Sequence, residues 1–254
     1  MPTYTLFKTA AALAAGLVLC GCTSNGPGGG ISGVSTATGG PPNDGTGPTN
    51  ITSGGNPVTG NFICTQAATA YGDVTTAVGT GGLVGADLTA LLDTLGGNTA
   101  TTLLNSVINP NNVIDGNLAT YATYSLTAGL FSSAIDSVDL DVIMPKGTTV
   151  SAGSFAVFGV SFPAGTADIA LLNKIEVATY LNNVLQESNT LSQSQISLLG
   201  LTAVSSPADA WVGIEATKPY DTAVLSLAPG ALSVDVGNAM FAYEFCPGGK
   251  LVTP

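Results

Sequence analysis

Residues 109–125, NPNNVIDGNLATYATYS, place one carboxylate among turn-forming residues, amides and hydroxyls. The Asp-Gly-Asn turn at Asp115 gathers carboxylate, amide and main-chain oxygens, which are ligands that hard metal ions prefer. The same residues also fit an Asx turn, in which Asp115 accepts backbone N–H hydrogen bonds and Gly116 adopts a positive φ. The loop is therefore a turn, a metal site or the edge of a binding site.

A second group of carboxylates, Asp136, Asp139 and Asp141, crowds one predicted strand. Paired carboxylates hydrolyse glycosides when a cleft holds them at the right separation. Charges on the solvent face of a strand more often keep it soluble and discourage edge pairing. We expect this second role, and we predict that the protein is not an enzyme.

The composition removes most other catalytic chemistry. The 254 residues include no His and no Arg, so Ser-His-Asp and Cys-His catalysis and His-ligated zinc are excluded. Five Lys against sixteen Asp and Glu give a net charge of −11. No basic surface is left to neutralise phosphates, so we expect no nucleic-acid partner.

Three aromatic residues are candidates for ligand binding. Trp211 shares a predicted strand face with Glu215, opposite Val212, so its ring could lie on the polar side and stack on a sugar. The alternative is an aromatic residue that covers one end of the core. Tyr121 and Tyr124 could join the same surface, or they could pack at its rim.

The first 19 residues have a positively charged start and an apolar stretch that is too short to span a bilayer. The sequence LCGC at 19–22 resembles the lipobox of bacterial lipoproteins, in which a small residue precedes the lipid-bearing cysteine. Cys22 fits because Gly21 precedes it, whereas Cys20 follows a leucine. The alternative is an ordinary secretory signal with two incidental cysteines.

The lipobox resemblance implies a signal peptide at 1–21 and lipid on the thiol and amine of Cys22. Two or three acyl chains, unlike one, hold a protein stably to a membrane. Thr23 stands where an inner-membrane retention signal has aspartate. We therefore expect a lipid-anchored protein of the bacterial cell envelope, at the outer membrane.

Residues 22–60 consist mainly of Gly, Pro, Ser, Thr and Asn, which predicts a flexible linker. A folded domain is expected at 61–250, with a tail at 251–254. Cys64 and Cys246 lie near the limits of this domain, so an oxidising compartment favours one disulfide between its first and last strands. Two free buried thiols are the alternative.

Alternating apolar and polar residues dominate the domain and predict an antiparallel β-sandwich. Asn182-Asn183 is expected to form a two-residue hairpin turn between strands at 175–181 and 184–187. Leucines at helical spacing predict one short helix over Ala86–Leu95. Further strands are predicted at 137–142, 155–162, 196–204, 211–217, 223–227 and 239–246.

Three stretches, 112–121, 215–224 and 240–245, resemble the loop and strand motifs of discoidin-like, galactose-binding-type jelly rolls of bacterial surface proteins. The resemblance implies a jelly-roll sandwich. It departs at Tyr121, where those domains usually carry Trp or Phe, and in the lack of basic residues that often line their glycan sites.

The same resemblance implies a structural calcium ion held by Asp115, Thr120 and Glu244, which would join the loop to the C-terminal strand. We therefore expect an envelope lipoprotein with a β-sandwich binding or adhesion module, for which a glycan is one ligand. The alternative is a structural or protein-binding envelope lipoprotein with no small ligand.

Overall fold

The structure is a computed structural model that describes residues 40–81, 97–126, 135–162, 172–192, 194–195, 209–229 and 237–253. These residues all belong to one compact unit. An α-helix, α1, spans Gly97–Leu104, and 3-10 helices span Ala68–Tyr71 and Pro110–Val113. The strands are β1 (Thr49–Ser53), β2 (Asn56–Pro57), β3 (Asn61–Gln66), β4 (Thr75–Gly79), β5 (Val107–Ile108), β6 (Ala122–Leu126), β7 (Val138–Ile143), β8 (Phe155–Ser161), β9 (Leu172–Leu181), β10 (Val184–Ser192), β11 (Ala210–Glu215), β12 (Thr222–Pro229), β13 (Gly237–Cys246) and β14 (Gly248–Val252).

Two sheets carry most of these strands. One has the order β2-β1-β11-β8-β13-β6-β5, and the other has the order β10-β9-β12-β7-β4. β14 and β3 form a separate two-stranded sheet. Among the described strands, β1 and β11 are parallel and the other pairs are antiparallel. The prediction of an all-β sandwich with a short helix is confirmed.

The core lies between the two sheets and follows from the alternation of apolar residues. Leu140 and Leu225 of the five-stranded sheet share one buried cluster with Phe158 and Val212 of the seven-stranded sheet. The rings of Phe158 and Phe245 lie 4.8 Å apart. Each large apolar side chain buried in this way contributes about 1.5–3 kcal/mol.

The predicted hairpin between β9 and β10 is confirmed. Asn182 and Asn183 have φ values of 50° and 63°, and Val184 pairs with Leu181 directly beyond them. Positive φ at both turn residues matches the right-handed twist of the flanking strands.

Two predicted elements, the helix at Ala86–Leu95 and the strand at 196–204, lie outside the described residues. Of the helices in the described ranges, none has the length and apolar character needed to cross a membrane.

The predicted linker boundary at residue 60 is wrong. Thr49–Ser53 pairs in parallel with β11, and Ile51 is buried. Few apolar residues are enough here because the segment docks on an existing sheet edge, where β11 satisfies its backbone hydrogen bonds. Residues 22–39 of the predicted linker lie outside the described residues. The C-terminal boundary at 250 is also early, because β14 continues to Val252.

The predicted disulfide is confirmed. Cys64 and Cys246 are bonded with their Cα atoms 5.7 Å apart, across a sequence separation of 182. The bond joins β3 to β13, which are not the first and last strands as expected. The side chain of Asn43 also holds the backbone of Cys64 in place. It donates to the Cys64 carbonyl at 3.0 Å and accepts from the Cys64 N–H at 2.6 Å.

Candidate functional site

The loop at Asp115 forms an Asx turn. The Asn117 N–H donates to Asp115 Oδ1 at 2.8 Å, and the Thr120 hydroxyl donates to Asp115 Oδ2 at 2.7 Å. Gly116 has a φ of 78°, as the turn requires. The carboxylate therefore orders the start of β6.

Glu244 of β13 reaches the same loop from the opposite side. The Gly116 N–H donates to Glu244 Oε2 at 2.8 Å, whereas the buried Oε1 atom has no hydrogen-bond partner. Burial is the main cause that raises the pKa of Glu244 to about 8, and the charge of Asp115 raises it further. The structure thus brings the three predicted calcium ligands, Asp115, Thr120 and Glu244, together.

These residues fit a hard cation in their chemistry. A buried carboxylate oxygen without a hydrogen-bond partner is an unused ligand, and a cation there would compensate its charge. No group of three or more His, Cys, Asp or Glu within the described ranges could hold a metal. Hydroxyl, amide and main-chain oxygens would have to complete the set, and calcium remains a prediction.

Trp211 is fully buried in an apolar cluster, so its ring cannot stack on a sugar, and the alternative of an aromatic residue that covers the core holds. Strand alternation does place it on the face opposite Val212, but residues 41 and 42 cover that face. Pro41 packs on Gly159 so closely that a Cβ there would lie 2.6 Å from the proline Cγ. The Trp211 Nε1–H donates to the Pro42 carbonyl at 3.1 Å, and its ring lies 5.3 Å from that of Phe62.

Tyr121 and Tyr124 differ in their exposure to solvent. Tyr124 is fully buried and donates its hydroxyl to the Leu225 carbonyl at 2.6 Å, so its predicted role in binding is also wrong. Tyr121 is 39% exposed. Its ring lies 4.4 Å from Phe241 and 5.6 Å from Tyr243, which leaves it available as a contact residue.

Asp139 and Asp141 are not on a solvent face as expected, since both are fully buried, while Asp136 is exposed. Alternation along β7 places Asp139 and Asp141 on the face opposite the core, as expected, but this second face is buried as well. The Ser137 hydroxyl donates to Asp139, whereas neither oxygen of Asp141 has a hydrogen-bond partner. Burial, and then the charge of Asp139, raises the pKa of Asp141 to about 8.

The five-stranded sheet ends in an open groove of about 740 Å³ that the sequence analysis missed. It lies where β7 and β9 end and β12 begins. It is lined by Asp73, Thr75, Ile143, residues 144–149, Leu181, Asn182, Asn183, Asp221 and Thr222.

Hydrogen bonds hold the groove walls in place. Asp221 accepts from the Asn182 N–H through Oδ2 at 2.9 Å and from the Thr222 hydroxyl through Oδ1 at 3.1 Å, which fixes its carboxylate beside the hairpin turn. On the other wall, the Thr148 N–H donates to the Pro145 carbonyl at 2.8 Å. The groove therefore presents a fixed carboxylate and two amides above a partly apolar floor.

One feature of the sequence, the Asn182-Asn183 pair, could have pointed to the groove. Two-residue hairpins of this type favour Asn followed by Gly, because Gly adopts a positive φ freely. Asn183 holds a φ of 63° and keeps an amide where Gly would be favoured.

The family and curated-protein comparisons give no match. Three solved structures show a distant similarity. A family 32 carbohydrate-binding module of Clostridium perfringens NanJ, in complex with galactose, has a TM-score of 0.34 and 14% identity over 69% of this chain and 93% of that one. A module named CBM32-3, from a family 31 glycoside hydrolase of the same organism, has a TM-score of 0.30 and 13% identity over 56% of this chain and 82% of that one. The arabinose-bound α-L-arabinofuranosidase MgGH51 has a TM-score of 0.32 and 12% identity over 56% of this chain and 20% of that one.

Proposed function

We propose that the protein is a lipid-anchored lipoprotein of the bacterial cell envelope whose β-sandwich is a non-catalytic carbohydrate-binding module. The observation that carries this proposal is the open polar groove at one end of the sandwich. Its volume falls within the range of about 300–1,000 Å³ that small-molecule sites occupy.

The lining of the groove suits a sugar. Neighbouring hydroxyls of a sugar both donate and accept, so they pair well with carboxylates, amides and threonine hydroxyls. Asp221, Asn182 and Asn183 supply these groups, while Ile143 and Leu181 offer an apolar strip for the C–H face of a ring. The fixed carboxylate of Asp221 loses little entropy when it binds.

The burial of Asp139 and Asp141 supports the non-catalytic part of this proposal. Asp139 and Asp141 are the carboxylates that the sequence offered for glycoside hydrolysis, and both are fully buried. They therefore do not face a cleft that a substrate could enter.

The proposed lipid anchor rests on the lipobox-like motif LCGC and on Cys22. Because the folded chain begins no later than residue 40, at most residues 22–39 separate it from the lipid. Fully extended, these residues reach on the order of 60 Å.

A protein-binding envelope lipoprotein is the second candidate. Val184 and Leu185, beside the β9–β10 turn, are 62% and 53% exposed, and such apolar side chains suit a protein partner.

A glycan array followed by calorimetry tests the proposal, with the mature chain carrying Cys22→Ser so that it stays soluble. Asn183→Gly removes one groove amide while it improves the turn, so we expect affinity to fall about three- to tenfold with no loss of folding. Asn56→Ala removes an exposed amide outside the groove and serves as the matched control. If no glycan binds, the proposal is wrong.

A further inference from the structure

The groove has more negative than positive groups. Its lining contains two carboxylates, Asp73 and Asp221, and one ammonium group, Lys146. Asp221 is held in place by the Asn182 N–H and the Thr222 hydroxyl, so it cannot turn away from the groove easily. Lys146 is exposed on a loop beside Gly147, and its long side chain reaches solvent.

A further acidic group, Asp139, lies farther along β7, the strand that reaches the groove. Alternation along β7 places Asp139 on the same sheet face as Ile143, which lines the groove. Asp141 lies between them on this face, but burial raises its pKa to about 8, so it adds little negative charge at neutral pH. The charge of Asp139 extends to the groove wall, since burial and then this charge raise the pKa of Tyr180, the residue before Leu181. The groove therefore lies in a negative local field.

The chain as a whole strengthens this field. Its net charge is −11, without any Arg or His, and one of its five Lys lies in the leader at residue 8. A surface of this kind repels polyanions and concentrates cations near a negative cleft. We therefore expect glycans rich in uronate or phosphate groups to bind poorly.

We infer that the groove binds a glycan that carries a free, protonated amine, such as a de-N-acetylated amino sugar. In this complex the ammonium group lies between Asp221 and Asp73, and the amides of Asn182 and Asn183 bind the sugar hydroxyls. The inference rests on the proposed carbohydrate binding and names the ligand class of the same groove.

The test compares three sets of oligosaccharides by calorimetry with the mature Cys22→Ser chain: glucosamine oligomers, the same oligomers after full N-acetylation, and oligouronates. We expect the amine-bearing set to bind most tightly, and its affinity to fall as salt is raised. Asp221→Asn should weaken amine binding by about tenfold or more, because a charge-assisted hydrogen bond is lost. The same change should leave the affinity for N-acetylated oligomers nearly unchanged.

Two further variants keep the test decisive. Asp73→Asn alters an exposed carboxylate and should also weaken amine binding, even if Asp221→Asn folds poorly. Asp136→Asn makes the same charge change at an exposed position that does not line the groove.

The outcomes separate the two proposals. If N-acetylated oligomers or oligouronates bind as tightly as the amine set, the inference is overturned while carbohydrate binding stands. An equal loss of affinity in Asp136→Asn and Asp221→Asn would overturn it as well, because attraction would then be non-specific. If no oligosaccharide of any set binds, the proposed function fails too.

Discussion

At the scale of single residues, the buried carboxyls of Asp141 and Glu244 have pKa values near 8, against 3.8 and 4.5 for ordinary Asp and Glu. Both groups bind protons more tightly in the folded chain than in the unfolded chain. Their stabilisation is therefore complete below about pH 4 and is lost as the pH rises through about 8.

We expect the free energy of unfolding to fall by a few kcal/mol between about pH 5 and about pH 9. Urea denaturation in EDTA measures this slope. Asp141→Asn should flatten it and should be more stable than the natural chain at the higher pH, because no buried charge forms. Asp136→Asn, an exposed control, should keep the slope. Equal stability at both pH values would contradict the expectation.

Glu244 also allows a test of the predicted calcium ion. Calcium should raise the melting midpoint at neutral pH, because an ion at a hundredfold excess over its Kd stabilises by about 2.7 kcal/mol. Glu244→Gln should remove the effect, since the charged oxygen is lost. The comparison is a melting curve in calcium and in EDTA, and identical midpoints in the natural chain would rule the ion out.

At the scale of elements, β1 shows how far the fold extends beyond its expected start. A chain that begins at residue 61 lacks β1, which leaves the edge of β11 unpaired and exposes Trp211. We expect it to be less stable than a chain that begins at residue 40 by about 3 kcal/mol or more. Chemical denaturation of both chains measures the difference. Matching midpoints would show that β1 adds nothing.

The sequence predicted the strands well because alternation is a local property. The strands at 155–162 and 211–217 were placed within a few residues, and the Asn182-Asn183 turn was identified. Alternation divides residues between two faces, but it does not say what covers each face. For that reason Asp141 was wrongly expected to face solvent, and alternation could not decide between an exposed ring of Trp211 and one that covers the core.

The groove was not predictable in the same way. Its lining runs from Asp73 to Thr222, and no short motif joins residues so far apart in the chain. The Asp115 loop and Glu244 are also distant, 128 residues apart at the Gly116 hydrogen bond, yet the family resemblance paired them. The resemblance to discoidin-like domains linked residues that are far apart in the chain, which hydrophobic alternation within one strand cannot do.

At the scale of the whole molecule, the proposed lipid anchor depends on Cys22 and not on Cys20. Cys22→Ser should move the protein from the membrane fraction to the soluble fraction, because no acyl chain is then attached. Cys20→Ser removes a cysteine two residues earlier and should leave the protein with the membrane. Cell fractionation with immunoblotting measures both. An unchanged distribution for Cys22→Ser would exclude lipid on that thiol.

The two hydrogen bonds between the Asn43 side chain and the Cys64 backbone affect how the domain would bear mechanical force. In a lipid-anchored chain, tension from the membrane arrives at residue 40 and meets Asn43 before it meets β1. Asn43 passes part of that force to the backbone of Cys64, which is covalently joined to Cys246. If a bound ligand is pulled away from the membrane, the disulfide-closed part of the chain from Cys64 to Cys246 would bear part of the force. Less of that force would then act on β1, which would stay paired with β11.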